Sequence, residues 1–446
     1  MHSHMNPSSE NQTSANEAKP LEGIRVVSLE HALAAPLCTR HLADLGAEVI
    51  KVERIDGGDF SRGYDTYVLG QSTYFVWLNR GKRSLALNVK TEGGRSVLDR
   101  LAASADVLVQ NLAPGAAERA GLGYERLKSI NERLIVADIS GYGDRGPFAD
   151  KKAYDMLIQA ESGLISINGA ADTPARVGIS VADLATGLYT QNAILAALIR
   201  RGKTGRGSHV QVAMLDALAE WMHYPMYRHA YNQSVIPRQA MNNPWIAPYG
   251  GHATRDGAVV FSVQNEREWR SFCELVLGMP ELTHSDAYGS NSRRIAHVAE
   301  LTALIEAKFA DLSSLDVVAL LDRAGIANGR LNAPKDLWEH PQLSARDRWR
   351  EVGIPGGGTI QALLPPAIFD GFEAVMGPVP ALGQDTQHVL SELDFSAQQI
   401  EALYASGSAM QYADDAPARA AALQQPNREA IESSSALTNE TMETRR

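Results

Sequence analysis

Asp183 is the residue whose surroundings most suggest chemistry. It lies in the largely apolar segment 181–187 and precedes a long apolar run at 188–198. A carboxylate there costs free energy unless it is paired or used. Lys152 and Tyr154 lie about one helical span upstream, and the combination suits a carboxylate nucleophile that attacks a thioester while the lysine holds a phosphate. The alternative is structural, because Asp is a favoured N-cap of helices.

Positive side chains recur beside the predicted strand ends of the N-terminal half. Arg54 follows the strand-like run 49–53, and Asn111 follows the run 107–110. Ligands of open α/β sheets bind at the carboxyl ends of the strands, so this placement predicts an anionic ligand with several phosphates. For any single Lys or Arg the alternative is a solvated surface charge. The cations concerned are Lys51, Arg54, Lys82, Arg83, Lys90, Arg119, Lys151 and Lys152.

Other candidate motifs give weaker indications of function. The sequence predicts no metal site, because no carboxylate or cysteine lies at ligand spacing from His31, His209, His223 or His229. The segment 140–143 does not meet the Gly-X-Ser-X-Gly pattern, which disfavours a serine hydrolase. The dinucleotide-binding GxGxxG pattern is absent after the first strand. The glycines 356–358 predict a hairpin turn, since no helix start follows as in a phosphate loop.

Composition limits the class of protein. The chain has 446 residues, 44% of them apolar, and a formal net charge of −10. An acidic chain of this kind disfavours a general nucleic-acid binder. Cys38 and Cys273 are far apart, which predicts no disulfide framework and a reducing compartment. Without a recognisable secretory signal or an apolar run long enough to span a membrane, a cytoplasmic enzyme is the expected class.

Alternating strand and helix signals predict βαβ units and a parallel sheet in the N-terminal half. The predicted strands are 24–29, 47–52, 84–89, 106–110 and 134–139. Helices are predicted between them and again at 188–201 and 210–223. The segment 242–257 is rich in Pro, Gly and aromatic residues and predicts a boundary, beyond which a smaller domain begins. Polar composition predicts disorder at both ends of the chain.

Several motifs together resemble the class III CoA-transferases, the family of formyl-CoA transferase and carnitine CoA-transferase. The resemblance runs from about residue 21 to about residue 393. It rests on the segments 21–27, 42–54, 79–84, 105–111 with Pro114-Gly115, 139–143, 204–207 and 215–217. The related α-methylacyl-CoA racemases belong to the same superfamily.

The resemblance implies an α/β fold with a Rossmann-like large domain, a smaller α+β domain and two chains interlocked as a ring-like homodimer. It implies that Asp183 is the nucleophile and that Leu33, Gly250 and Gly251 lie near the substrate. The implied CoA contacts are Arg54, Leu87, Asn88, Lys90, Asn111, Arg119, Lys152 and Tyr154. The implied organisation is a disordered tail at 1–19, a CoA-binding domain at 20–205, a helical linker at 206–241, a small domain at 242–340, a return segment at 341–405 and a largely disordered tail at 406–446.

Three functions stay open at this point. CoA transfer through an aspartyl-CoA thioester is favoured, with Asp183 already ionised at neutral pH and no permanently bound cofactor, ATP or metal. The acceptor is expected to be a carboxylic acid, and the segments 363–366 and 376–383 resemble relatives acting on C4–C5 dicarboxylates such as mesaconate, itaconate or succinate. Acyl-CoA racemisation is disfavoured because Tyr154 replaces the racemase histidine. A non-catalytic acyl-CoA-binding protein is disfavoured by Asp183.

The same resemblance predicts where substrate specificity changes. Leu33 stands where formyl-CoA transferase has a glutamine, and the tetraglycine loop of that enzyme is replaced by the segment 248–251. Formate and oxalate are therefore not the expected substrates. Backbone N–H groups of a predicted turn at Gly250-Gly251 are expected to stabilise the oxyanion. No nucleic-acid or membrane partner is expected.

Overall fold

A computed structural model describes residues 18–412, and its central feature is a six-stranded parallel sheet. Its order is β3-β2-β1-β4-β5-β6, so the chain builds outwards from β1 on one side and from β4 on the other. The predicted α/β class is confirmed. The strands are β1 (Arg25–Leu29), β2 (Glu48–Glu53), β3 (Lys82–Ala86), β4 (Val107–Gln110), β5 (Ile135–Ser140) and β6 (His209–Ala213).

Helices cover both faces of this sheet, as buried parallel strands require. One face packs against α1 (Ala34–Asp44) and α8 (Val181–Thr204). The other packs against α3 (Glu92–Ser104), α5 (Tyr124–Ile130), and two helices near the C-terminus, α17 (Thr386–Glu392) and α18 (Ala397–Ala405). Shorter helices are α2 (Thr73–Asn79), α4 (Ala116–Arg119), α6 (Asp155–Glu161) and α9 (Met214–Trp221).

The prediction of one helix over 210–223 is wrong. His209–Ala213 forms strand β6, which pairs with β5 in parallel, and α9 begins only at Met214. The strand has a physical basis, because Val210 and Val212 alternate with polar residues and β-branched side chains favour extended backbone. The segment predicted as a helical linker therefore starts as the sixth strand of the sheet.

The described chain forms two compact units. One consists of Met1–Ile158, Val181–Leu218 and Arg348–Arg446, as far as these are described, and the other of Gln159–Ser180 and Ala219–Asp347. The domain boundaries expected from the sequence stay predictions. The expected tails 1–19 and 406–446 fall mostly on 1–17 and 413–446, which lie outside the described residues.

The second unit has its own antiparallel sheet, β7 (Tyr249–Thr254), β8 (Gly257–Ser262) and β9 (Ala327–Arg330), in the order β7-β8-β9. Its core is mostly aliphatic and includes the aromatic side chains of Phe261, Trp269 and Phe272. Its helices are α7 (Leu164–Ile167), α10 (His223–Asn232), α11 (Glu266–Ser271), α12 (Asn291–Ala296), α13 (Val298–Phe309), α14 (Ser314–Arg323), α15 (Pro334–Trp338) and α16 (Pro341–Ala345).

The predicted hairpin around the glycines 356–358 is present in the first unit. Strand β10 (Trp349–Ile354) pairs with β11 (Gly358–Leu363) in antiparallel register. Gly356 and Gly357 both have left-handed φ values, 93° and 87°, which glycine adopts without steric cost. These glycines therefore make a turn and do not surround a phosphate.

Within residues 18–412, no helix has the length and apolar character needed to cross a membrane. The same residues contain no group of three or more side chains arranged to hold a metal ion. Cys38 and Cys273 are both buried free thiols.

Gly187 sets how closely α8 approaches α1. A Cβ at this position would lie 2.6 Å from the backbone oxygen of Ala34 and 3.2 Å from Leu37. The first contact is with backbone, which cannot rotate away, so the helices can pack at this distance only through a glycine. Gly187 is one helical turn after Asp183, and the close contact therefore fixes the part of α8 that carries the carboxylate.

We expect Gly187→Ala to destabilise the protein by about 1–3 kcal/mol, because the added methyl forces α8 away from α1. Gly202→Ala, in the same helix but with open space around its Cβ position, is the matched control. It should be neutral or stabilise by up to about 1 kcal/mol through helix propensity. Urea denaturation monitored by circular dichroism measures both, and equal effects of the two substitutions would contradict the packing assignment.

Candidate active site

Asp183 lies in the first turn of α8, and its side chain is half-buried. Within residues 18–412 its carboxylate has no hydrogen-bond donor or cation as partner. Burial, followed by the charge of Asp155, raises the pKa of Asp183 to about 7. The expectation that Asp183 is fully ionised at neutral pH is therefore wrong, because an apolar site without a cation disfavours the charged form.

Asp155 supports the turn that carries Asp183. It is the first residue of α6, and its Oδ1 accepts a hydrogen bond from the backbone N–H of Ala182 at 2.8 Å. This N–H belongs to the first turn of α8, where the helix itself provides no acceptor. Asp155 therefore holds the backbone beside the nucleophile candidate while its charge raises the pKa of that carboxyl group.

An aromatic wall stands close to Asp183. The rings of Tyr64 and Tyr74 meet edge to face with centroids 5.7 Å apart, and Tyr74 meets Trp77 at 6.3 Å. Burial, then the charges of Asp59 and Asp183, raises the pKa of Tyr64 to about 12, so its hydroxyl stays protonated. Tyr154 lies close enough to contribute to the same shift. Sequence reasoning missed Tyr64, which follows a 3₁₀ turn at Phe60–Gly63 and belongs to no recognisable motif.

Leu33 shares an apolar cluster with residues around the nucleophile candidate. The cluster consists of Leu33, Leu37 and Leu78, with Tyr74 and Leu184 packed against it. Leu33 is itself buried, at the start of α1. The structure thus brings together Asp183, Tyr154 and Leu33, three of the residues that the sequence analysis singled out.

The order of the sheet reverses between β1 and β4, and this is where ligands of open α/β sheets bind. His31 follows β1 and Asn111 follows β4. The amide of Asn111 joins the two exits: its Oδ1 accepts from the His31 N–H and its Nδ2 donates to the His31 carbonyl, both at 2.9 Å. The amide of Asn111 therefore stabilises the two loops that form this crevice. Only the backbone and the apolar surface of Asn111 are left to contact CoA.

The expected CoA contacts surround the same edge of the sheet. Arg54 follows β2 and pairs with Asp56 at 3.3 Å, while Leu87 and Asn88 follow β3. Lys90 precedes α3 and Arg119 ends α4. The described structure leaves Arg54, Lys90, Arg119, Lys152 and Tyr154 exposed, Leu87 buried, and Asn88 half-buried.

Two lysines of the expected cationic cluster have a different role. Lys51 and Lys82 are fully buried and bond to Glu30, at 3.3 and 2.7 Å, and Lys51 also pairs with Asp59 at 2.8 Å. Burial opposes ionisation of Glu30, yet the two lysines outweigh it and hold the pKa of Glu30 below its ordinary value. These lysines are part of the core and cannot reach a phosphate. The sequence alone does not distinguish such a buried lysine from an exposed one.

Gly250 and Gly251 do not form the expected turn. They lie inside strand β7, opposite Phe261 and Val260 of β8, and the turn of that hairpin comes later, at 255–256. A Cβ on Gly250 would lie 1.9 Å from the side chain of Asn242, so a close approach explains this glycine. The two residues belong to the second unit, and their assignment as substrate contacts stays a prediction.

Comparison with known proteins shows the family of the chain. The family model described as CoA-transferase family III matches residues 21–386. The chain belongs to this family. The transferase is 35% identical to succinyl-CoA:glutarate CoA-transferase of Mus musculus over 400 residues, which cover 89% of this chain and 92% of the relative. It is 32% identical to formyl-CoA:oxalate CoA-transferase of Escherichia coli O6:H1 over 408 residues, 86% of this chain and 98% of the relative.

A solved structure shows the same relationship. A CAIB/BAIF family protein from Brucella suis superposes with a TM-score of 0.77 at 34% identity, over 84% of this chain and all of the neighbour. The resemblance stated from the motifs is thereby confirmed, and so is the conclusion that the chain is a CoA-transferase. Its substrates are acyl-CoA thioesters and carboxylic acids.

The raised pKa of Asp183 makes a prediction about stability. The folded transferase binds this proton more tightly than the unfolded chain, so the carboxyl group destabilises the fold increasingly as the pH rises from about 4 to about 7. Asp183→Asn should therefore raise the melting temperature at pH 8, by about 2–4 °C, and raise it by less than half as much at pH 5. Scanning calorimetry of both proteins at both pH values measures this, and a stabilisation that is the same at pH 5 and pH 8 would contradict it.

Proposed function

We propose that this transferase moves CoA between carboxylic acids through a covalent aspartyl-CoA thioester on Asp183. The observation that carries the proposal is the isolated, half-buried carboxylate of Asp183 at the start of α8, beside an aromatic wall. A structural N-cap would bond to backbone N–H groups of its own helix, and this carboxylate bonds to none within residues 18–412. Its desolvation leaves it a reactive oxygen nucleophile once it has lost its proton.

The proposed reaction proceeds through ordinary acyl exchange. The Asp183 carboxylate attacks the thioester carbonyl of the donor, the carbon–sulfur bond breaks, CoA leaves as thiolate, and a mixed anhydride of Asp183 and the donor acid remains. The thiolate then attacks the aspartyl carbonyl, which forms aspartyl-CoA and releases the donor acid. The acceptor carboxylate repeats these steps in reverse and leaves as acyl-CoA. Every step exchanges one acyl bond for another, so nucleophilic catalysis replaces one difficult exchange with easier ones and consumes no ATP.

The exits of β2 and β3 and the loops after β4 and β5 are the proposed CoA site. The exposed cations Arg54, Lys90, Arg119 and Lys152 suit the phosphates, whereas Leu87, Asn88, Asn111 and Tyr154 suit the adenosine and pantetheine parts. Support comes from the topology, since most of these residues follow the carboxyl ends of strands of the parallel sheet, the edge at which ligands of open α/β sheets bind.

We propose C4–C5 dicarboxylates as donor and acceptor acids. The similarity to succinyl-CoA:glutarate CoA-transferases of Mus musculus and Homo sapiens, at 35% and 34% identity, supports this choice. Mesaconate, itaconate and succinate are the first acceptors to test, and glutarate follows from the named relatives.

Racemisation of 2-methylacyl-CoA is the second candidate within the same superfamily. It requires a base on each face of the α-carbon. Tyr154 stands where the resemblance places the racemase histidine, and a tyrosine phenol is a weak base at neutral pH. Transfer is therefore the preferred function.

The proposed dimer follows the family resemblance, and two observations support it. Helix α10 buries none of its side chains within residues 18–412, and its Tyr224, Tyr227 and Tyr231 are exposed. Large exposed apolar surfaces of this kind mark interaction sites. Light scattering on the purified transferase tests the proposal, and a monomer at micromolar concentration would oppose it.

Trapping the intermediate tests the nucleophile. Incubation with succinyl-CoA in the absence of acceptor should add CoA to the peptide that carries Asp183, and hydroxylamine should remove it. Asp183→Ala should abolish both the adduct and the transfer while binding CoA with little change. Mass spectrometry of the peptides measures the adduct, and turnover by Asp183→Ala within tenfold of the wild type would overturn the assignment. Rapid uptake of deuterium at the α-carbon of 2-methylacyl-CoA without an adduct would favour the racemase instead.

The pH profile tests the coupling of Asp155 to Asp183. Since only the ionised carboxylate attacks, kcat/KM of the wild type should rise with pH around the Asp183 pKa of about 7. Asp155→Asn keeps an oxygen that accepts from the Ala182 N–H but removes the neighbouring charge, so the midpoint should move to lower pH. Asp99→Asn, on the exposed face of α3, is the control and should leave the midpoint unchanged. An unshifted midpoint in Asp155→Asn would mean that its charge does not reach Asp183.

Affinity for CoA tests the cationic residues. Charge-assisted contacts to phosphate contribute about 1.5–3 kcal/mol each, so Lys152→Ala or Arg119→Ala should raise KM for acyl-CoA roughly tenfold or more. Dephospho-CoA thioesters should distinguish which cation contacts the 3′-phosphate. Lys203→Ala, at the far end of α8, is a matched control. An unchanged KM in both site variants would mean that these cations are solvated surface charges that do not contact CoA.

A further inference from the structure

The open edge of β3 is occupied by chain that lies about 300 residues later. Strand β3 is the last in the order β3-β2-β1-β4-β5-β6, so one side of it has no strand partner. Asp385 donates its N–H to the Ser84 carbonyl at 3.0 Å and accepts from the Ser84 N–H through Oδ2 at 2.9 Å. The Thr386 hydroxyl accepts from the Ala86 N–H at 3.1 Å. These bonds satisfy polar backbone groups that an edge strand would otherwise expose.

The same cover continues past the end of β3, through a segment we call the C-terminal clasp, Ser408, Ala409 and Met410. Ala409 lies opposite Leu87 as an antiparallel bridge. The Asn88 N–H donates to the Ser408 carbonyl at 2.8 Å, and the Met410 N–H donates to the Ala86 carbonyl at 3.2 Å. Ser408 and Ala409 are buried. The clasp thus extends the sheet by one short strand at the point where β3 ends.

Side chains attach the clasp to the start of α3 as well. The hydroxyl of Thr91 lies 2.9 Å from that of Ser408, and it accepts from the Gly94 N–H at 3.0 Å as the N-cap of α3. Gly93 leaves no free space there, since a Cβ on it would lie 2.7 Å from the Ser408 hydroxyl. The chain from Asn88 to Thr91 is therefore held at both of its ends by the same buried serine.

We propose that the C-terminal clasp is a positioning element that holds the loop 87–91 in the conformation that receives CoA. The inference rests on the proposed function, which places Leu87, Asn88 and Lys90 at the CoA site. The clasp itself lies beyond residue 386, where the match to the family model ends. A loop that is ordered before binding does not lose conformational entropy when the ligand arrives, so the clasp acts on CoA affinity and leaves the acyl exchange on Asp183 unaffected.

Substitution of Met410 distinguishes the role of the clasp from the stability of the rest of the fold. Met410→Pro removes the N–H that bonds to Ala86 but touches no residue of the proposed site. Gln411→Pro is the matched control, because Gln411 is exposed and its N–H makes no hydrogen bond within residues 18–412. Met410→Ala is a second control, which keeps the N–H and removes the side chain. All three substitutions are made in the full-length chain.

Three readouts on these variants test the proposal. In Met410→Pro, amide hydrogen exchange of the peptide 84–92 should accelerate at least tenfold without ligand. The dissociation constant of free CoA, measured by calorimetry, should rise about tenfold, and kcat at saturating acyl-CoA should stay within twofold. Both controls should remain within threefold of the wild type in all three measurements.

The outcomes separate this proposal from the proposed function. If the wild type binds no CoA, the proposed function fails. If the wild type binds CoA and Met410→Pro loosens the peptide 84–92 without weakening CoA binding, the clasp has no positioning role and the inference is overturned. A fall in kcat with unchanged CoA affinity would also overturn it. Should Met410→Pro fail to fold, Ser408→Ala removes the hydroxyl contacts to Thr91 and Ser406. It should weaken CoA binding about threefold, whereas an unchanged affinity would count against the clasp.

Discussion

A buried network of four charges connects the exit of β1 with β2, the loop after β2 and the start of β3. Glu30 follows β1, Lys51 belongs to β2, Lys82 begins β3, and Asp59 comes from the loop after β2; their charged side chains are shielded from solvent. Two positive and two negative groups satisfy one another in a place where a single unpaired charge would be prohibitive. Removing one partner of such a network commonly costs about 3–5 kcal/mol, so this part of the sheet depends on all four together.

The network continues into the crevice through Asp59. Its Oδ1 accepts a hydrogen bond from the Ala32 N–H at 3.2 Å. Ala32 has a left-handed φ of 62°, which is uncommon for residues other than glycine. The sharp bend at Ala32 leads from β1 into α1, whose first turn contacts Gly187 of α8. The position of Asp183 is thus connected to the buried charges by a short series of fixed contacts.

The sequence contained enough information for the parallel sheet and for Asp183. Apolar runs separated by helical segments predicted β1 to β5, because strands that are covered on both faces consist of nearly continuous apolar residues. The prediction missed strand β6 because its alternation of Val with polar residues leads directly into the helical pattern of α9. The prediction that Asp183 is ionised failed for another reason. Burial of its carboxyl group depends on how distant parts of the chain fold together, and no local pattern reveals distant neighbours such as Tyr64, whose pKa is raised by the charge of Asp183. The same limit applied to Lys51 and Lys82, whose burial depends on strand order.

The late-sequence cover on β3 has a consequence for synthesis of the protein. While the ribosome is still making residues before about 378, the edge of β3 has no partner, because the groups that bond to it follow Gly377. An uncovered strand edge is a template for pairing with other chains, and contacts between distant parts of a sequence form slowly. A nascent chain of this transferase therefore carries an aggregation-prone edge for most of its translation, and fragments ending before the cover should precipitate where the full chain remains in solution.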